Sequence, residues 1–194
     1  GTMDMSFASE VRCHFDPVAE RFGLSCVASS EQRGRYENEA VFLTVHFDNG
    51  RSYELGVEVG RKTSTQSERP FSLVEVLRLR EAAADAASID GIIVSDAARL
   101  PDAIKRLAAL TSEYTSDFLR CNDFSFAQVG RLREKEGDAY ALERDLRVAK
   151  AKSEIAWLSR NFKALIAALE PLEPHLSSAE KMRLEYSRKQ LANW

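Results

Sequence analysis

Val41-Phe42-Leu43-Thr44-Val45-His46-Phe47-Asp48-Asn49-Gly50-Arg51-Ser52-Tyr53-Glu54-Leu55-Gly56-Val57-Glu58-Val59 is the stretch that decides the fold. Odd positions from Val41 to Phe47 are apolar, and so are the odd positions from Tyr53 to Val59. Alternation with a period of two marks half-buried antiparallel strands, one face on a core and one face wet. A two-residue turn at Asn49-Gly50 would set Leu43 opposite Gly56 and put the apolar rows on opposite faces. A three-residue loop, Asp48-Asn49-Gly50, keeps both rows on one face. It pairs Val45 with Tyr53, Leu43 with Leu55 and Val41 with Val57, with Gly50 in the left-handed position of a bulged hairpin.

Upstream, Phe7, Val11, Phe15, Val18, Ala19 and Phe22 recur at helical steps. That spacing predicts a helix over residues 6–22, ended by Gly23. Asp16-Pro17 either kinks it or restarts it, with Asp16 as cap and Pro17 at the first helical position. Leu24 to Ala28 reads as a third strand, followed by a polar loop through Gln32-Arg33-Gly34.

Downstream, Arg61 to Arg69 is polar and turn-like. Ser72 with Glu75 three residues later is a capping box. From there Leu73, Val76, Leu77, Leu79 and the alanines carry a helix to Asp90-Gly91. Another begins near Pro101, with Ile104, Leu107, Ala108, Thr111, Tyr114 and Phe118 on one stripe. From Phe126 to Glu170 no proline intervenes, which predicts one long helix. Within it Val148, Ala151, Ile155, Leu158, Phe162, Leu165, Leu169 and Leu172 form a heptad seam. Pro171 and Pro174 stop the helix, and Ser177 with Glu180 opens a terminal helix placed to fold back as an antiparallel hairpin.

The predicted fold class is therefore α+β: an N-terminal helix, a three-stranded antiparallel meander, then helices ending in a long helical hairpin. The predicted division is an α+β domain over 3–125 and a helical, coiled-coil-like appendage over 126–194.

The central stretch from Val41 to Gly60, with the Phe71-Ser72-Leu73-Val74-Glu75 helix start, resembles a pattern in small bacterial proteins of unknown function. It is similar to that of some immunity proteins of polymorphic toxin systems, in which a leading helix ending in Gly, a meander and two or three helices recur. The resemblance covers residues 6–130 and implies a non-enzymatic bacterial protein that binds another protein. It transfers no functional residue, and the charged helix beyond Gly130 departs from the pattern.

Composition narrows the remaining classes. The 194 residues are 44% hydrophobic and 29% charged, ordinary for a globular chain that needs no disulfide or metal to fold. Net charge is 27 minus 30, or −3. Residues 147–194 hold nine Lys/Arg against five Asp/Glu (+4), leaving 18 minus 25 (−7) for residues 1–146. The most basic stretch, Lys181 to Lys189, is diluted by Glu180 and Glu185, so a nucleic-acid partner is not expected. The longest purely apolar run, Ala164 to Leu169, is far below the roughly 20 residues a bilayer requires. Three cysteines, Cys13, Cys26 and Cys121, make no Cys-x-x-Cys pair. With no apolar leader, they fit a reducing cytoplasm. Gly1-Thr2 ahead of Met3 reads as a remnant of cloning.

Reactive constellations are sparse. Cys13 and His14 are neighbours whose side chains diverge by about 100° on a helix, so Cys13 reads as a half-buried thiol. His14, His46 and His175 lack metal-ligand spacing. Gly56-Val57-Glu58-Val59-Gly60-Arg61 has strand glycines but no following helix, which marks close packing or a bulge rather than a phosphate loop. No metal, cofactor or catalytic residue is assigned. The function read from these residues is a non-catalytic protein-interaction protein, self-associating or binding a partner through the seam residues Val148, Ile155, Leu158, Phe162, Leu165 and Leu169. Such a stripe must be covered, since leaving it wet forfeits roughly 1.5–3 kcal/mol per large side chain. The alternative is an enzyme or small-ligand protein with dispersed residues near the hairpin: His46, Arg51, Tyr53 and Glu54.

Overall fold

A computed structural model describes residues 6–62 and 69–193. Gly1 and Thr2, and most of the polar turn expected over Arg61–Arg69, lie outside these residues. The chain divides into two compact units, Gly1–Arg133 and Glu134–Trp194.

The first unit mixes helix and sheet. Helix α1 (Phe7–Arg21) starts at Ser6, whose side chain accepts the Ser9 amide, and runs through Pro17 without a restart. Asp16 is not a cap; it accepts the Tyr36 hydroxyl and the Arg12 guanidinium. Gly23 follows at φ +70°, the left-handed terminator its position predicts.

Five strands, not three, form the sheet: β1 (Ser25–Ser29), β2 (Arg33–Glu37), β3 (Val41–Phe47), β4 (Leu55–Arg61) and β5 (Phe71–Ser72), adjacent in chain order and antiparallel throughout. The expected loop at Gln32-Arg33-Gly34 is largely strand β2. Its Gly34 and Tyr36 turn inward between outward Arg33, Arg35 and Glu37. Gly34 is required there, because a Cβ would stand 2.7 Å from Val11 Cγ1 of α1.

The hairpin register is also corrected. Leu43 faces Val59, Val45 faces Val57 and Phe47 faces Leu55, four residues along from the expected pairing. A wider turn causes the slip. The Asp48 carboxylate accepts the Ser52 amide and hydroxyl at 3.1 and 2.7 Å, and the Tyr53 amide donates to the Asp48 carbonyl at 2.9 Å. Beyond it Glu54 bridges to Ile93, and Leu55 donates to the Ile92 carbonyl, so this segment is also held from its other side. Gly50 keeps its positive φ of 81°. An even slip preserves facing, so both apolar rows still point into one core.

The capping box at Ser72 and Glu75 is present and opens α2 (Leu73–Leu79). The single helix expected as far as Asp90 is two, because Glu81 at φ +60° separates α2 from α3 (Ala83–Ile89). Helices α4 (Leu100–Tyr114) and α5 (Ser116–Leu119) follow, and Phe118 belongs to the latter. Phe7, Val11 and Phe15 of α1 join Leu43, Val45, Val57, Ile104, Leu107 and Phe118 in one core on one side of the sheet.

Helix α6 (Asp123–Leu158) runs from the first unit into the second. The long helix expected to reach Glu170 stops at Leu158. Helix α7 (Phe162–Leu169), a 3₁₀ segment over Glu170–His175 and α8 (Ser178–Ala192) complete the chain. Ser177 and Glu180 form the second capping box.

Candidate interaction surface of the helical unit

The end of α6 is set by backbone chemistry rather than by glycine or proline. The Asn161 amide donates to the Ala156 carbonyl at 2.8 Å and the Arg160 amide to that of Trp157 at 3.2 Å, with Arg160 at φ +55°. That is a Schellman ending with arginine in the left-handed position. Asn161 then caps α7, its side chain accepting the Ala164 amide at 3.1 Å.

This break divides the predicted seam. Leu165 and Leu169 are fully buried, in a small core with Ala149, Ala156, Leu176 and Leu184. Ile155 and Leu158 are 71% and 78% exposed, Val148 is exposed, and Phe162 is half-buried. The covered face of α6 is instead Ala149, Ser153 and Ala156, displaced by about one residue from the predicted stripe. Ala149 and Ala156 share their small core with the leucines of the following helices. Ser153 is satisfied by donating to the Lys150 carbonyl at 3.0 Å.

The exposed residues have apolar neighbours. Trp157 and Phe162 both meet Tyr186 edge-on, at 5.5 and 5.7 Å between ring centres. Arg183 lies 4.9 Å over the Trp157 ring. A hollow of about 570 Å³ is lined by Trp157, Leu158, Arg160, Phe162 and Tyr186. On the other side of the α6–α7 corner, a hollow of about 430 Å³ runs past Ile155 to Ala164, Ala167 and Ala168. Apolar ridges thus stand beside alanine-floored gaps. Trp157 and the three alanines were not among the predicted contact residues, although Trp157 directly precedes Leu158 in the chain.

Away from this face the unit is held by charge. Arg188 reaches Glu170, Glu173 and Glu185 at 3.2, 2.8 and 2.7 Å. These bonds raise the guanidinium above its ordinary value, and Arg188 in turn holds the Glu173 carboxyl below the usual range. Arg183 also pairs with Glu154.

The hairpin residues of the alternative reading are only partly brought together. His46 and Glu54 line a cavity of about 220 Å³ with Glu58 and the Arg78–Asp90 ion pair. Tyr53 packs on Phe47 instead, 6.3 Å between ring centres, and Arg51 is exposed in the turn. Cys13, expected half-buried, is exposed. Among the described residues no group of three or more His, Cys, Asp or Glu is placed to hold a metal ion, and no helix is long and apolar enough to cross a membrane. Set against known protein families, curated proteins and solved structures, the chain finds no match in any of the three.

Proposed function

We propose that this chain is a non-catalytic interaction protein that associates with a second copy of itself through the apolar face of its helical unit. The observation that carries this reading is the 71% exposure of Ile155 beside the gap floored by Ala164, Ala167 and Ala168, with Leu158, 78% exposed, on the rim of the neighbouring hollow. A surface that holds both ridge and gap is self-complementary: under a two-fold axis each copy inserts Ile155 and Leu158 where the other lacks volume. Covering these side chains recovers the roughly 1.5–3 kcal/mol that each forfeits in water.

Size-exclusion chromatography of two variants tests the reading from both sides. Leu158→Glu removes the ridge and Ala168→Trp fills the gap, and each is expected to shift the chain to later elution. Circular dichroism reports whether the fold survives. Unchanged elution of both folded variants would overturn self-association by this face.

A further inference from the structure

The face of the sheet turned away from the core carries a second arrangement, independent of the helical unit. Side-chain parity places Arg33 and Arg35 of β2, Phe42, Thr44 and His46 of β3, and Glu58 of β4 on this face, with Arg33 opposite His46, Arg35 opposite Thr44, and Thr44 opposite Glu58. Glycine shapes the floor. Gly60 lies opposite Phe42 and Gly56 opposite His46, where a Cβ would come within 2.4 Å of the Phe42 ring and 2.6 Å of the imidazole. Both rings therefore lie down across β4, and a hollow of about 490 Å³ remains, also lined by Arg69.

Three features point to a ligand. Thr44 is 6% exposed and lines the hollow, and its hydroxyl, which makes no hydrogen bond to any described residue, opens to that hollow rather than being sealed in the core. Arg35 is fixed in place, stacked 4.3 Å over the Phe42 ring and bonded to Glu37 at 3.0 Å. Arg33 and Arg69 carry no ion pair among the described residues. Against these cations stand Glu37, which pairs with Arg35, and Glu58, which faces His46 at 3.8 Å. With Arg35 already paired to Glu37, the lining leaves Arg33 and Arg69 against Glu58, or 2 minus 1, a balance of +1 within residues 1–146 whose total is −7. A local reversal of sign on an acidic body concentrates anions there.

We infer that this hollow binds a compact oxyanion, the phosphate group of a small phosphorylated molecule. Arg33 and Arg69 would grip the oxygens in the fork geometry that guanidinium presents, and the Thr44 hydroxyl would donate from below.

Calorimetric titration of the full chain with inorganic phosphate and with phenyl phosphate tests it, at constant ionic strength set by chloride. Saturable one-to-one binding of both is expected, with phenyl phosphate telling whether an attached organic group adds affinity. Thr44→Val and Arg33→Gln are each expected to weaken binding about tenfold or more, corresponding to about 1.4 kcal/mol. Thr44→Ser, which restores the hydroxyl, keeps the affinity, and Arg51→Gln in the turn leaves it unchanged. No saturable heat up to on the order of 10 mM phosphate, well beyond a millimolar dissociation constant, would overturn the site. So would equal affinity of folded Thr44→Val and the unaltered chain.

Discussion

Arg160 sits at φ +55°, where a side chain with a Cβ is strained by roughly 1–2 kcal/mol and glycine is not. Arg160→Gly is therefore expected to stabilise the chain by about 0.5–1 kcal/mol in urea unfolding. A loss of stability would show that the guanidinium makes a compensating contact. Gly60 poses the opposite constraint. A methyl group added at Gly60 would stand 2.4 Å from Phe42 Cζ, so Gly60→Ala is expected to cost about 1–3 kcal/mol. In a Phe42→Ala background the same change should cost little, because the ring that occupies the space is gone. Additive effects in that double-mutant cycle would contradict the contact.

At the scale of elements, helix ends were the features hardest to read. Gly23, Glu81, Cys121 and Arg160 all stand at positive φ. Each donates to the carbonyl three residues back, and the next residue donates five back, which is the Schellman pattern. Only the Gly23 ending carries the residue that announces it. At Glu81 and Arg160 the left-handed turn falls on a residue with a Cβ, so periodicity ran on through both breaks. Strand facing was legible for the complementary reason: side chains alternate whatever the register, and the Asp48–Ser52 turn that fixed the register has no period. The two capping boxes were legible because their chemistry is local. In one of them burial pushes the Glu75 carboxyl up, but the Arg133 guanidinium at 2.6 Å and the Ser72 amide outweigh it and hold it below the usual range. A carboxyl depressed in the folded state stabilises above its unfolded value, near 4.3, and that contribution fades as pH falls through the folded value. Glu75→Gln should thus lower stability at pH 7 and flatten its acid dependence below about pH 4.5. Identical acid limbs for variant and unaltered chain in denaturant titrations would exclude the pair.

For the whole molecule, the division of labour runs between two units. Charged and polar side chains with glycine-cradled rings occupy the outer sheet face of the first, and an apolar surface is left open on the second. The seam read from the sequence and the apolar surface left exposed coincide only in part. Leu165 and Leu169 are used up in the unit's own core, whereas Ile155 and Leu158 remain outside it. The difference is one of phase: the buried positions of α6 in this unit are Ala149, Ser153 and Ala156, about one residue on from Val148, Ile155 and Leu158. The most direct measurement is the mass of the unaltered chain by light scattering across a range of concentrations. Self-association predicts a mass rising to about twice 21.8 kDa. A mass fixed at 21.8 kDa at every concentration would contradict it.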